Sequence, residues 1–220
     1  MTVRTKAFLQ TLAFLVLLGI ALFGAAGRFD LGEFWIYIAV LAAISAVALA
    51  VLDADLMAER MRPGGRRLGW HFVPVIAVMF LHWVVAGLDR GRWHLDDAVP
   101  RDLRVAGLIA FAAGWALVLW SMEVNRYFSS IPRIQTERGH RVVTAGPYRW
   151  VRHPGYAGAL TAAVASPLAL GSWLSGFFVP VAIALLAWRI AIEEKLLTRE
   201  LAGYAEYAGR VRYRLVPGLW

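Results

Sequence analysis

The sequence predicts an all-α, polytopic membrane protein with about six transmembrane segments, the last two forming a helical hairpin, followed by a cytoplasmic C-terminal helix. Three observations carry this expectation. Of the 220 residues 60% are hydrophobic and only 17% charged, and the mean hydropathy is +0.58, well beyond the apolar share of a water-soluble domain. Five stretches lack any charged residue, four of them 18 to 21 residues long and the fifth 34. Each is long enough to cross roughly 30 Å of hydrocarbon as helix. The basic residues, finally, collect in alternate connections, as they do in multi-pass proteins.

The first stretch, Ala7–Gly27, follows Arg4 and Lys6 and ends in Gly24-Ala25-Ala26. Its apolar core is longer than the roughly 7–15 residues of a signal peptide, so it reads as a retained span. Phe34–Leu52, Trp70–Leu88 and Val105–Met122 fit one crossing each. Gly155–Trp188 is too long for one: as continuous helix it would extend about 51 Å. A turn near Pro167 to Trp173 divides it into two helices. Six crossings put 18 basic residues on one side, from Arg4 to the tail at Arg214, and only Arg28, Arg90, Arg92, Arg101 and Arg104 on the other. The side with the excess is cytoplasmic, which places both termini and the 123–153 loop there. The net charge of +8 therefore reads as membrane orientation and not as nucleic-acid binding.

The chain contains no cysteine, which excludes disulfides, thiolate metal sites, iron–sulfur clusters and a cysteine nucleophile. The first two spans are nearly free of polar groups and suit packing and lipid contact. Polar and ionisable residues gather instead in two segments on the cytoplasmic side, where intramembrane and interfacial charges signal function. One runs from Glu123 through Arg126, Gly139-His140-Arg141-Val142-Val143-Thr144-Ala145-Gly146-Pro147-Tyr148 and Arg152-His153-Pro154-Gly155-Tyr156-Ala157-Gly158. A connection of about thirty residues is functional or disordered as a rule, and its aromatic and β-branched residues argue for order. The other segment is Arg189 to Tyr207, with Glu193-Glu194 and an apolar stripe at 192, 196, 197, 201, 204, 208 and 211, which predicts one helix leaving the membrane.

These two segments resemble the isoprenylcysteine carboxyl methyltransferase family and its prokaryotic relatives. The pattern G-H-x-[LV]-V-T-x-G-P-Y stands at Gly139–Tyr148, R-H-P-x-Y-x-G at Arg152–Gly158, and the Arg, the Glu pair and Y-x-x-Y at Arg189 to Tyr207. The resemblance covers about the last hundred residues. It implies an S-adenosylmethionine-dependent methyltransferase, with residues 1–122 a scaffold of four transmembrane helices and 123–220 the catalytic part: cytoplasmic loop, hairpin 155–190, C-terminal helix and tail. Arg126, Arg189 and Glu193 are its catalytic candidates. His140, Val142, Val143, Gly146, Tyr148, Arg152, His153, Tyr156 and Glu194 are its cofactor-binding candidates, and no metal is expected. The setting is the cell inner membrane, with a lipophilic small molecule or lipid entering from the bilayer.

The chemistry of the residues agrees. Tyr148, Tyr156, His140 and His153 offer aromatic and hydrogen-bonding walls, Arg152 a carboxylate partner, and Glu193 or Glu194 an anion for the cationic groups of the cofactor. Methyl transfer needs alignment and dryness more than covalent help. A carboxylate acceptor would need only a guanidinium grip, for which Arg126 and Arg189 are the candidates. Plainer readings stand beside these: Arg152 as a membrane-surface anchor, His153 as a turn cap, Arg189 and Glu193 as a helix ion pair, and Tyr204 and Tyr207 as interfacial packing residues. A soluble-type methyltransferase fold is excluded, for there is no G-x-G-x-x-G and no strand–helix alternation. His71 and His82 lie about 16 Å apart along one helix and do not suit a haem. A transporter would show inverted repeats and midplane charges, which this sequence lacks. A membrane sterol reductase using NADPH remains the alternative, since that group shares an R-H-P-N-Y-like element, although Gly155 replaces its Asn here. A non-catalytic membrane scaffold stays open as well.

Overall fold

The computed structural model describes residues 1–65, 73–94 and 99–220, and among these it is all helix and turn, with no strand. Trp70, His71, Arg66 and Arg67 lie outside the described residues. Eight α-helices are described: α1 (Val3–Gly19), α2 (Gly32–Val51), α3 (Ala54–Met61), α4 (Val73–Leu88), α5 (Arg101–Val124), α6 (Pro154–Leu170), α7 (Val179–Glu200) and α8 (Tyr204–Arg210). Among the described residues five helical segments are long and apolar enough to cross a membrane: Val3–Gly24, Gly32–Val51, Val73–Trp93, Arg101–Val124 and Leu174–Glu200. Their outward faces carry large apolar side chains such as Phe8, Leu17, Ile36, Ile109 and Trp188, as lipid-facing surfaces do.

The long charge-free stretch is broken where proline and glycine predict a break. α6 ends after Pro167, Gly171 adopts φ 73, and a short 3₁₀ turn at Leu174–Phe178 leads into α7. With 17 residues, α6 reaches about 26 Å. It is the inner helix, buried along a run of small residues from Gly155 to Ala169. α5 packs antiparallel to it so tightly that a Cβ at Gly158 would stand 2.4 Å from the Gly114 carbonyl oxygen. Small residues permit that approach of two backbones, and dispersion over the contact replaces a hydrophobic driving force that lipid cannot supply.

Polar groups tie the bundle together at depth. The Tyr37 hydroxyl lies 2.8 Å from Ser166 Oγ, His82 Nε2 lies 2.8 Å from the same oxygen, and Trp83 Nε1 donates to the Tyr37 hydroxyl at 3.3 Å. His82 Nδ1 sits 3.1 Å from the Ser175 carbonyl. His82 is thus a satisfied packing residue joining α4, α6 and the turn before α7. At one end of the bundle, Glu33 faces Arg90 and Arg104, and Ser172 Oγ donates to the buried Asp89 at 2.6 Å. At the other end lie α3, the 125–153 segment and the C-terminal tail. The described members of the two sets of basic residues separated in the sequence therefore lie towards opposite ends of the helices. The apolar stripe from 192 to 211 does not form one helix: α7 stops at Glu200, and Gly203 turns the chain at φ 81 into α8.

Candidate active site

The connection after α5 is built around three interior side chains. Asn125 ends the helix, its Oδ1 accepts the Tyr127 N–H at 2.9 Å, and its Nδ2 donates to the Tyr148 hydroxyl at 3.1 Å. Gln135, fully buried, donates to the Tyr127 carbonyl at 2.7 Å and accepts from Arg138 Nη1. The Tyr127 ring lies against His140 at 4.5 Å, and its hydroxyl donates to the Gly139 carbonyl. The Gln135 N–H approaches His140 Nδ1 at 3.3 Å, so that nitrogen is the acceptor and the ring is neutral. Burial, with the nearby Arg133 and Arg138 charges, lowers the His140 pKa in agreement.

A latch joins this loop to α3. Arg133 Nε and Nη2 each donate to the Glu59 carboxylate at 2.8 Å, and Ser129 Oγ donates to Glu59 Oε1 at 2.8 Å. Burial alone would raise the Glu59 pKa, but the bonds from Arg133, Ser129 and the Gly64 N–H outweigh it and hold the carboxyl at about 2.

A second hub holds the C-terminal end. Glu194 accepts Arg152 Nε and Nη2 at 2.9 Å each, His153 Nε2 at 2.8 Å and the Tyr204 hydroxyl at 2.6 Å. The remaining Arg152 nitrogen, Nη1, donates to the Val211 and Arg212 carbonyls at 2.8 Å, and the Arg152 and His153 N–H groups donate to Tyr213 and Arg214. The tail is thereby folded back over the R-H-P turn. Burial works to lower the Arg152 pKa, yet the Glu194 carboxylate leaves it raised. A third group stands beside the hub: Arg189 Nε donates to the Tyr156 hydroxyl at 2.6 Å, which donates to Glu193 Oε2 at 2.7 Å, and Arg189 Nη2 donates to the Ser130 carbonyl.

These groups enclose a cavity of about 410 Å³, within the range of small-molecule sites. Its polar half is lined by His140, Val142, Val143, Tyr148, Arg152, His153, Tyr156, Arg189 and Glu193, nine of the twelve site residues expected from the sequence. The other half is apolar, from Phe14, Leu41, Met79, Leu185 and Leu186, and ends on the His82–Ser166–Tyr37 group.

Three expected site residues stand elsewhere. Arg126 is exposed and shares a shallow hollow with Asp53 and Asp55, because the Asn125 turn sends its neighbour Tyr127 inward and Arg126 outward. Gly146 shapes the wall from behind, at φ 55 against Val124 and Trp120. Glu194 is spent on four side chains behind the cavity and is not on its surface. Conversely, Tyr204 and Tyr207 are not interfacial residues: both are buried and line the cavity, Tyr207 donating to the Tyr148 carbonyl at 2.8 Å. Arg60 of α3 also lines it. Nothing in its sequence context, a run of arginines, separates it from a surface anchor.

The R-H-P turn, the tyrosine of α6 and the glutamate of α7 thus meet at one cavity, as the motif spacing requires of a single site. Residues 106–199 match the model of the isoprenylcysteine carboxyl methyltransferase family. A probable protein-S-isoprenylcysteine O-methyltransferase of Oryza sativa subsp. indica is 38% identical over 93 residues, 40% of this chain and 47% of the rice protein. Protein-S-isoprenylcysteine O-methyltransferase B of Arabidopsis thaliana is 34% identical over 93 residues, 40% of this chain and 45% of its own length. A delta(14)-sterol reductase of Mus musculus is 34% identical over 92 residues, 40% of this chain and 22% of the reductase. The chain thus spans about half the length of the methyltransferase relatives it matches. The solved structure of a eukaryotic intramembrane Ras methyltransferase, an isoprenylcysteine carboxyl methyltransferase, superposes with a TM-score of 0.65 at 18% identity, covering 97% of this chain and 76% of that one. The fold of the described residues is therefore similar to that of this solved methyltransferase, while the family model matches from within α5 to α7. Arg60, Tyr204 and Tyr207 lie outside the matched segment.

Proposed function

We propose that this protein is an integral membrane S-adenosylmethionine-dependent methyltransferase acting on a lipophilic acceptor, an isoprenylcysteine-like carboxylate or else a small thiol or lipid. The observation that carries the reading is the two-sided cavity, with the motif residues of the family segment around its polar half and apolar side chains of α1, α2, α4 and α7 around the rest. The donor set suits the cofactor: Tyr148, Tyr204, Tyr207 and His140 present ring faces and polar edges, and Glu193 places a carboxylate on the wall for a cationic group. Bound there, S-adenosylmethionine would supply an activated methyl group on its sulfonium. A carboxylate acceptor releases no proton, so the site needs no general base. Tyr156 and Arg189 fix Glu193 in place, and the folded-back tail and the 125–153 loop exclude water. Residues 123–220 supply the cofactor side, and residues 1–122 supply Arg60 and share the apolar side with α7, in addition to their scaffold role. The asymmetry of this chain's basic residues supports a site and both termini on the cytoplasmic side of the cell inner membrane.

The test is a melting experiment on detergent-solubilised protein with S-adenosylhomocysteine and, separately, NADPH. Saturation at about a hundred times Kd stabilises a folded state by about 2.7 kcal/mol. A rise in melting temperature with S-adenosylhomocysteine alone is expected. A rise with NADPH alone transfers the assignment to a reductase, the reading that the mouse relative favours.

A further inference from the structure

The apolar half of the cavity does not close on hydrocarbon. Its far end is formed by Tyr37 of α2, His82 and Trp83 of α4 and Ser166 of α6, all of which line it. Tyr37, His82 and Ser166 are buried, and the Tyr37 ring stacks on Phe111 with centroids 4.2 Å apart, so packing holds the wall in place. Ser166 lies ten residues beyond Tyr156 on α6, about 15 Å along the helix axis. That distance matches an extended chain of about a dozen tetrahedral carbons.

The direction of each hydrogen bond in this wall follows from its ends. The Ser175 carbonyl only accepts, so His82 Nδ1, 3.1 Å from it, carries a proton. Among the described residues His82 bonds a carbonyl and a hydroxyl and no carboxylate, so the ring is neutral and its Nε2 is an acceptor. The Ser166 hydroxyl therefore donates to Nε2 at 2.8 Å. With that proton used, the 2.8 Å bond between Tyr37 and Ser166 is donated by Tyr37, whose oxygen accepts Trp83 Nε1 at 3.3 Å. All four side-chain protons are spent inside the wall. The capacity left over is accepting only, since Ser166 Oγ and the Tyr37 oxygen each receive one bond and a hydroxyl oxygen has two lone pairs.

We propose that this wall is a hydrogen-bond-accepting specificity site, which selects a lipophilic ligand whose apolar body ends in a hydroxyl and not in plain hydrocarbon. A hydroxyl that reaches Ser166 or Tyr37 finds an acceptor in apolar surroundings, where an unmade bond is costly. A methyl end gains no bond there. An ether end sets its lone pairs against those of the wall. That the ligand is the methyl acceptor rests on the reading above; the wall's preference for a donor does not.

The experiment measures binding of three N-acetylcysteine thioethers with chains of equal heavy-atom count, ω-hydroxydodecyl, ω-methoxyundecyl and tridecyl, to full-length protein in detergent. Affinities are corrected for partition into protein-free micelles, and S-adenosylhomocysteine binding is recorded beside them. The parent is expected to bind the hydroxyl probe at least about fivefold more tightly than the methyl ether, as one neutral hydrogen bond supplies, and more tightly than the all-carbon probe. Ser166→Ala removes the acceptor and frees the Tyr37 proton. His82→Phe frees the Ser166 proton. Either change turns the wall into a donor, so the preference should fall below about twofold or reverse towards the ether. Absence of a hydroxyl preference in the parent, or failure to bind any of the three probes, overturns the proposal whether or not the variants fold. So does an undiminished preference in either folded variant. If the parent shows the preference yet fails to bind S-adenosylhomocysteine, the wall stands and the methyltransferase reading falls. If S-adenosylhomocysteine binds and no preference is seen, that reading stands and the wall is structural only.

Discussion

Glu193 and Glu194 are adjacent on α7 and do different work. Glu193 Oε2 accepts a single bond from the Tyr156 hydroxyl at 2.7 Å on the cavity wall, whereas Glu194 is enclosed by Arg152, His153, Tyr204 and Arg214 behind it. The side chains of Arg152 and Glu194 are only 7% and 12% exposed, so the pair is shielded from water, and removing one partner strands the other.

Glu194→Ala should therefore cost about 3–5 kcal/mol, a fall in melting temperature on the order of 10 °C for a chain of this size. Glu193→Gln should melt within about 2 °C of the parent and show its effect in cofactor binding and turnover. Differential scanning fluorimetry with and without S-adenosylhomocysteine separates the two. Equal melting losses would mean that both glutamates are structural.

The Glu59–Arg133 latch gives a pH signature. The Glu59 carboxyl is held at about 2 in the folded protein, against 4.5 as its ordinary value. A depressed carboxylate contributes stability that is complete above the ordinary value and is lost as pH falls from about 4.5 towards 2. Melting temperatures recorded over that range should decline in the parent. The decline should be shallower in Glu59→Gln, which is already destabilised at pH 7.

The α5–α6 seam has no room for a methyl group. Gly158→Ala places Cβ 2.4 Å from the Gly114 carbonyl oxygen, and forcing the backbones apart should cost at least about 1–3 kcal/mol. Gly209→Ala on α8 meets nothing within 4 Å and serves as the control, neutral or slightly stabilising. Similar melting of the two variants would show that the seam opens without penalty.

Orientation is tested by labelling, since the chain has no native cysteine. His94→Cys should react with an impermeant thiol reagent on intact cells, and Arg138→Cys should react only after the cells are opened. The reverse pattern would invert the topology drawn from the basic residues.

The charge-free stretches, the break near Pro167 and the segregation of arginines are local or additive properties, and the sequence determined them. Hydrocarbon thickness sets the length of a span, proline and glycine set a turn, and charges are counted without knowing any contact. The motif residues His140, Arg152, His153, Tyr156 and Glu193, which line one cavity, stood out for a related reason, because their spacing resembles a family pattern. Tertiary structure decided what those patterns leave open. Whether Arg126 or Tyr127 faces the interior depends on the Asn125 turn, and two adjacent residues cannot both point inward there. Which of two neighbouring glutamates meets the cavity depends on the angle at which α7 crosses the R-H-P turn. The end of α7 at Glu200 rests on Gly203, whose positive φ a helical stripe does not reveal. Arg60 enters the site only because a latch more than seventy residues distant in sequence, Glu59 with Arg133, draws α3 under the loop. Such contacts join parts of the chain whose separate patterns carry no information about each other, so only the packed molecule brings them together.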